Sequence, residues 1–443
     1  MAIFSRRILQ RIINENARIL SDGQLRSHIK RLNRMHKTLE LGDEWEVVLL
    51  NAFSKVGRVT HEEGLAGTSD LYFEAHDDPS NKFLADITAV SDEGFKKFGD
   101  FDKLYEELRK RVEERGFNPA HFHLDVQGNH QEIQRGRYGE AVKARLYMPA
   151  DKSSFESDIF NEDWERFLDE VTGSSQPAAY SVYRPEQQLS LAISYKPGER
   201  YGAGSHLAHK QINHLTSNRI YGELTKKAKQ LAKAKFGGHR GIIICDGGYT
   251  PFHSMNHFSG YPVEKVIKYF LKNNPSISFV FTIVIKRDSY PRVPNMIITR
   301  FYANGLTADG AKIFESIDRA IDFLPQPESD AFNALNHLKS KNGREGRKNG
   351  ALTMSSNEIR MSSRTLMELL SGRMTHEDFM SRYENISSGF RTPGYTNFFD
   401  MKLRNGMMIS DITIVPSDTK DDDVISIKWS GPDPAISRFV PSE

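Results

Sequence analysis

One stretch, residues 44–94, limits what this chain can fold into, because a helical pattern is followed there by strand patterns. Trp45, Leu49 and Phe53 recur at helical spacing and predict a helix whose apolar side faces a core. Three runs typical of strands follow, and turn residues separate them: Arg58–His61, Asp70–Phe73 and Phe83–Val90. A helix followed by three strands predicts an α/β layer in which the helix covers a sheet.

Two acidic residues lie inside these apolar strands, and a third lies in the first turn of the helix. Asp70 opens the second strand, Asp86 lies in the middle of the third, and Glu46 belongs to the helix. A carboxylate in a half-buried strand costs free energy unless it is paired or binds a cation. Three carboxylates converging from a helix and two strands would form a hard-oxygen site suited to Mg²⁺ or Mn²⁺.

A plainer interpretation of the same acids stays open. Each of them could simply pair with an arginine or a lysine at an edge of the sheet. Asp70 follows the turn Gly67–Ser69 and fits the role of a capped turn residue. Asp86 is harder to explain in this way, because it lies in the middle of an apolar strand.

The order of these residues resembles the core of the PD-(D/E)xK nuclease superfamily. Its members carry a glutamate on a helix, an aspartate opening the second strand, and a (D/E)-x-K motif in the third. Here Glu46, the Asp70 of G-T-S-D, and the Asp86 and Thr88 of D-I-T stand at those positions. The resemblance covers residues 41–90. It implies a restriction-endonuclease-like mixed sheet flanked by helices, with Mg²⁺ or Mn²⁺ held by Glu46, Asp70 and Asp86.

The chain departs from this pattern at Thr88, where the superfamily has a lysine that positions the attacking water and stabilises charge. Some members carry the lysine on the following helix instead. Lys96, Lys103 and Lys227 are the candidates for that replacement in this chain.

Lys227 and Gln230 belong to the second informative stretch, a helical pattern over residues 218–236. The apolar run G-I-I-I-C-D follows it and predicts a buried, central strand that ends near Asp246, which we interpret as a turn residue. This pair resembles the helix and strand that follow the motif strand in the nuclease core. The resemblance makes residues 91–217 an insertion and directs Lys227 and Gln230 towards the carboxylates. The alternative is a surface helix whose lysines are only solvated.

Composition and chain patterning exclude several classes of protein. Cys245 is the single cysteine, which excludes an intramolecular disulfide framework and a multi-cysteine zinc site. No apolar run is long enough to span a bilayer. The basic, amphipathic N-terminus lacks the apolar stretch and the cleavage site of a signal peptide. We therefore expect a cytoplasmic protein with no membrane partner.

The pattern along the chain predicts four segments. They are an N-terminal helical segment (1–38), a nuclease-like α/β core with the insertion (39–325), a basic flexible linker (326–350) and a small α+β module (351–443). The last module has short helices at 363–370 and 375–383, a hairpin and no catalytic signature. We expect it to bind a protein partner or to form a homo-oligomer.

Two functions follow from the sequence. The first is a metal-dependent endonuclease that hydrolyses nucleic acid, with DNA as the expected partner; a role in bacterial restriction or phage defence rests on family analogy. The second is a catalytically inactive nuclease-like scaffold that binds nucleic acid or a protein, and Thr88 favours it. The net charge of +2 decides nothing here, because a basic groove would have to come from local patterning.

Overall fold

The structure is a computed structural model. It describes residues 3–61, 69–92, 98–126, 129–136, 139–145, 152–184, 189–199, 202, 204–206, 212–253, 260–287, 294–303, 308–339, 353–354, 357–375 and 398–433. The chain divides into a large unit, Arg34–Lys286 with Asn295–Leu324, and a small unit, Met1–Asn33 with Arg287–Pro294 and Pro325–Glu443. This division runs across the four predicted segments, whose boundaries stay predictions.

Helices and strands alternate along both units. The helices are α1 (Arg6–Asn16), α2 (Asp22–Leu32), α3 (Met35–Thr38), α4 (Gly42–Ser54), α5 (Phe98–Glu114), α6 (Lys152–Asp158), α7 (Glu162–Val171), α8 (Arg219–Leu231), α9 (Val263–Asn273), α10 (Ala308–Ile321), α11 (Ala331–Lys339), α12 (Ser363–Leu370) and α13 (Phe398–Arg404). The strands are β1 (Gly57–Thr60), β2 (Leu71–Ala75), β3 (Lys82–Val90), β4 (Phe122–Val126), β5 (Asn129–Gly136), β6 (Gly139–Arg145), β7 (Ala178–Arg184), β8 (Leu189–Tyr195), β9 (Gly204–His206), β10 (His239–Asp246), β11 (Phe279–Arg287), β12 (Pro294–Tyr302), β13 (Thr353–Met354), β14 (Glu358–Ser362), β15 (Ile409–Val415) and β16 (Val424–Trp429). Within the described residues, every helix falls short of the length and apolar character that crossing a membrane requires.

The central sheet of the large unit is mixed and has six strands in the order β1-β2-β3-β10-β11-β12. β1, β2 and β3 pair antiparallel, so β2 and β3 form the predicted hairpin around the polar turn at residues 76–81. β10 pairs parallel with both β3 and β11. Its uninterrupted apolar run suits a strand that is buried on both faces.

Helices cover both faces of this sheet, because successive residues of a strand point to opposite faces. Phe83 packs edge-on against Phe53 of α4, with ring centroids 5.8 Å apart. The next residue, Leu84, belongs to an apolar cluster with Leu224 of α8 and Phe270 of α9. A mixed α/β sheet flanked by helices, as expected from the sequence, is therefore confirmed.

The strand pairing brings the two aspartates side by side. β2 and β3 pair Leu71 with Ala85, so the residue before Leu71, Asp70, lies next to Asp86. β3 and β10 in turn pair Asp86 with Ile242. α8 leads into β10 and packs on β3, on the face that carries Leu84 and Asp86.

Residues 98–206 of the large unit form a second sheet with a hydrophobic core of its own. The strand order is β7-β8-β4-β9, in which β7 and β8 form an antiparallel hairpin and β4 pairs antiparallel with β8. Leu104 of α5, Phe122 of β4 and Trp164 of α7 are fully buried in this core. This layer occupies the chain between β3 and α8, where the sequence predicts an insertion.

The small unit contains a four-stranded sheet in the order β13-β14-β16-β15. Ile359 and Met361 of β14 and Ile425 and Ile427 of β16 form its core, against which α12 packs. The helix predicted at 363–370 and both strands of the predicted hairpin are confirmed. The helix predicted at 375–383 lies outside the described residues beyond residue 375.

Residues Ala331–Lys339 of the predicted 326–350 linker form the helix α11. The carboxylate of Asp330 accepts the main-chain N–H of Asn333 (2.9 Å) and so caps the start of α11. Ala334 and Leu335 are fully buried. The basic, glycine-rich end of the segment suggested a linker, and that end lies outside the described residues.

Candidate active site

The two aspartates predicted from the sequence are joined through main-chain hydrogen bonds. The N–H of Asp70 donates to Oδ1 of Asp86 (3.1 Å), and the N–H of Ile87 donates to Oδ2 of Asp70 (2.8 Å). Each carboxylate is therefore held by the backbone of the neighbouring strand. This exchange fixes both side chains on the face of the sheet that α8 covers.

Lys227 reaches these carboxylates from α8. Its Nζ lies 3.0 Å from Oδ2 of Asp70, and both side chains are largely buried. The helix is positioned by its N-cap, Asn218, which accepts the N–H of Tyr221 (2.9 Å), and by an apolar stripe that includes Leu224. Lys227 lies one turn beyond Leu224, so its side chain borders the core and points at the two aspartates.

Of the three lysines proposed to replace Thr88, Lys227 is the one that the structure brings to the aspartates. Lys103 is exposed on α5, and Lys96 lies outside the described residues. Thr88 is half-buried two residues beyond Asp86, on the same face of β3. Gln230 is half-buried three residues beyond Lys227 on α8. The catalytic roles expected for Thr88 and Gln230 stay predictions.

Burial and charge act strongly on this group of residues. Burial, and after it the charge of Asp70, raises the pKa of Asp86 to about 7, although Lys227 acts in the opposite direction. Burial lowers the pKa of Lys227, but the carboxylates of Asp70, Asp86 and Glu46 outweigh it, and the net shift is upward. The ammonium group is therefore charged at neutral pH, whereas the two aspartates compete for one positive partner.

One oxygen of Asp86 has no hydrogen-bond partner. The residue is fully buried, its Oδ1 accepts the N–H of Asp70, and its Oδ2 is without a donor among the described residues. A buried carboxylate oxygen of this kind requires an explanation, because native structures satisfy nearly all such atoms. A carboxylate oxygen is the kind of ligand that a hard divalent cation prefers, so Asp86 with Asp70 is a candidate for two ligands of such a cation.

Asp246, at the end of β10, shows how a structural aspartate differs. Its Oδ1 accepts the N–H of Gly248 (2.9 Å), and its Oδ2 accepts from the ring Nε2 of His253 (2.9 Å). Both oxygens are satisfied, as expected for a turn residue. Although Asp246 and Asp86 are equally buried, only Asp86 has an unsatisfied oxygen.

Glu46 is linked to the aspartates by a residue that sequence reasoning missed, His61. The ring Nδ1 of His61 lies 2.6 Å from the main-chain oxygen of Asp70. Since a carbonyl can only accept, Nδ1 carries a proton, and Nε2 faces Oε1 of Glu46 at 3.5 Å. His61 is almost fully buried, whereas Glu46 is 15 % exposed. The sequence offered one signal for a role of His61, which is its position directly after the first apolar strand.

No family model, curated protein or solved structure matches this chain.

Proposed function

We propose that this protein is a metal-dependent nuclease that hydrolyses phosphodiester bonds of nucleic acid, with DNA as the expected substrate. The observation that carries the proposal is the unsatisfied, buried Oδ2 of Asp86 beside the Asp70–Lys227 pair. A carboxylate oxygen without a donor is open to a cation, whereas both oxygens of Asp246 are already hydrogen-bonded. An acid pair with a charged lysine is also the set of groups that phosphodiester hydrolysis requires.

The order of elements supports the resemblance to the PD-(D/E)xK superfamily. α4 precedes the antiparallel strands β1, β2 and β3, and the parallel unit α8-β10 returns to β3 after the intervening sheet. Glu46 is on α4, Asp70 directly precedes β2, and Asp86 is in the middle of β3, which is the order that the resemblance expects. Lys227 is on α8, the helix that leads into β10 after the intervening sheet, and the resemblance interprets this helix as the one on which some members of the superfamily carry their lysine.

Each side chain has a role that follows from its position. Asp70 and Asp86 would hold the cation, and Glu46 would complete its set of oxygen ligands. When bound, Mg²⁺ or Mn²⁺ supplies a Lewis acid for the phosphoryl oxygen and activates water. Because the pKa of Lys227 is raised, its ammonium group acts as a charged donor and not as a base. It would orient the attacking water in line with the leaving group and stabilise the charge that develops on the phosphate.

The outer side of α8 suits a polyanionic substrate. Lys226 and Lys229 on the helix, and Lys233 and Lys235 directly after it, are all exposed. They lie on the element that carries Lys227. Exposed lysines clustered on one element bind a phosphate backbone without regard to base sequence. This surface supports nucleic acid as the substrate class.

One observation favours the second candidate, a scaffold without activity: the motif strand ends in Thr88 and lacks the lysine of the superfamily. A scaffold would bind nucleic acid equally well with and without a divalent cation. It would also keep that binding after Asp70→Ala.

The test is cleavage of plasmid DNA and of labelled RNA in Mg²⁺, Mn²⁺ and a chelator, with wild type beside Asp70→Asn. We expect metal-dependent cutting by the wild type and at least about a ten-fold loss in the variant, because one cation ligand loses its charge. The matched control is Asp77→Asn, an exposed aspartate paired with Arg319 in the same unit. If the wild type shows no cutting and no cation binding by calorimetry, the nuclease proposal fails.

His61 gives a prediction of its own, because it bonds the main chain of Asp70 and its Nε2 lies 3.5 Å from Oε1 of Glu46. His61→Phe keeps a ring in the buried site but removes both nitrogens. We expect the Mg²⁺ concentration needed for half-maximal cleavage to rise by about ten-fold, as for other groups that orient a ligand, with a smaller change in the maximal rate. A Mg²⁺ titration measures this, and the exposed His76 provides the control variant His76→Phe. An unchanged Mg²⁺ requirement in His61→Phe would remove His61 from the site.

A further inference from the structure

β15 is an exposed edge strand of the sheet in the small unit, paired regularly from Asp411 to Val415 after a bulge between Ile409 and Asp411. It is the outermost strand in the order β13-β14-β16-β15, and all seven of its residues are exposed. Within the described part of the chain, no strand pairs with its outer side. The main-chain N–H and C=O groups along that side therefore form a template for another strand.

The side chains of β15 are apolar where an edge strand is usually charged. Ile412 and Ile414 pair with Ile427 and Ile425, which are buried in the core of the sheet. They therefore belong to the core face, yet they are 57 % and 60 % exposed. The apolar face of the sheet thus continues onto β15, where its side chains are exposed. The charged residue of the strand, Asp411, lies 3.5 Å from Lys428 of the neighbouring β16.

The helices of the same unit also carry exposed apolar side chains. Met367 and Leu370 of α12 are 61 % and 72 % exposed, and Leu403 of α13 is 59 % exposed. Leu366 and Leu369 of α12 pack inward, so Met367 and Leu370 lie on the side of the helix left uncovered. Exposed apolar side chains of this size, together with a free strand edge, are typical of a protein interaction surface.

We propose that the occupant of this edge is β15 of a second copy, paired antiparallel so that the two four-stranded sheets join across a two-fold axis. The strand sequence I-S-D-I-T-I-V is complementary to itself when Thr413 lies at the axis. Ile412 then lies opposite the partner's Ile414, and Thr413 lies opposite the partner's Thr413. Both are favourable cross-strand pairs.

Charge also favours this register. Asp411 lies opposite the partner's Val415, so no like charges oppose each other across the new pair of strands. An isologous contact of this kind closes with two copies and does not grow into a fibre. The proposed dimer involves the small unit alone, so its test is independent of the nuclease proposal.

A cysteine at the axis tests the register in the full-length protein. Thr413→Cys places two thiols on directly opposed residues, at a spacing that a disulfide can bridge. The native Cys245 is buried and does not compete. We expect mild oxidation to give a covalent dimer of Thr413→Cys but not of the matched control Ser410→Cys, which lies off the axis on the same strand. Equal cross-linking of both variants, or of neither, would overturn the register.

Charge reversal across the pair tests the interface itself. Sedimentation or light scattering of the wild type should show a monomer–dimer equilibrium. Ile412→Glu with Ile414→Glu opposes like charges twice and should weaken dimerisation by about 100-fold or more. Ile412→Lys with Ile414→Glu opposes unlike charges at the same positions and should restore the dimer. Ile297→Glu, at an exposed apolar site of the large unit, is the control.

Three outcomes contradict the proposal. The wild type could be a monomer at every soluble concentration. The dimer could survive the double glutamate variant, which would place the interface elsewhere. The double glutamate and the lysine–glutamate variants could behave alike although both melt as the wild type does, which would mean that the two isoleucines do not face each other.

Discussion

Asp86→Asn is expected to stabilise the metal-free protein against unfolding at alkaline pH. The folded protein raises the pKa of Asp86 from 3.8 to about 7, so the folded state keeps a proton that the unfolded chain has already lost. As the pH rises from about 4 to about 7, the free energy of unfolding of the wild type therefore falls, and above that range it levels off. A shift of about three pKa units corresponds to at most about 4 kcal/mol.

Asparagine has no proton to lose, so this part of the pH dependence should disappear in the variant. Asp92 titrates from a pKa raised by burial to about 6, and its contribution at lower pH remains in both proteins. Urea denaturation in a chelator at pH 5 and pH 8 measures the difference. We expect wild type and Asp86→Asn to be closer in stability at pH 5 and the variant to be the more stable protein at pH 8.

Adding Mg²⁺ to the same samples tests the cation site without any assay of activity. At pH 8 the cation should stabilise the wild type, because it binds the folded state at Asp70 and Asp86. It should leave Asp86→Asn nearly unchanged. The control Asp77→Asn keeps the buried site intact, since Asp77 is an exposed partner of Arg319. If the free energy of unfolding depended on pH in the same way in the wild type and in Asp86→Asn, the pKa of Asp86 would not be raised in the folded protein.

Lys227→Met is expected to reduce cleavage by about 100- to 1000-fold, the usual cost of removing one preorganised donor at a developing negative charge. Cation binding should persist and become tighter, because the variant removes a positive charge that lies 3.0 Å from Asp70. Weaker cleavage combined with tighter cation binding distinguishes Lys227 from Asp70 and Asp86. Loss of either carboxylate should weaken cation binding and cleavage together. Single-turnover cleavage and calorimetry measure the two effects separately.

The neighbouring lysine provides the matched control. Lys226 is 72 % exposed, on the adjacent position of the same helix, so Lys226→Met removes the same charge outside the site. We expect this variant to cleave almost as the wild type does, with weaker binding of nucleic acid at higher salt. If Lys227→Met and Lys226→Met lose activity equally, Lys227 acts through general charge and has no specific role at the scissile phosphate.

Local patterns in the sequence were sufficient for much of the fold. Helical spacing from Trp45 to Phe53 predicted α4, and a polar turn between apolar runs predicted the β2-β3 hairpin. An apolar run after a basic helix predicted the α8-β10 pair. The candidate acids Asp70 and Asp86 were visible for the same reason, since a charged residue inside a short apolar strand is a local anomaly.

Only the tertiary structure decided which groups meet. Asp70 and Lys227 are separated by 157 residues, and no local propensity indicates that β3 pairs with a strand beyond the intervening sheet. The link from His61 to Glu46, the unsatisfied oxygen of Asp86 and the exposed edge of β15 likewise depend on distant segments. Periodicity shows which side of an element is apolar. What covers that side, and how deeply a carboxylate is buried, is decided by packing between segments far apart in the chain.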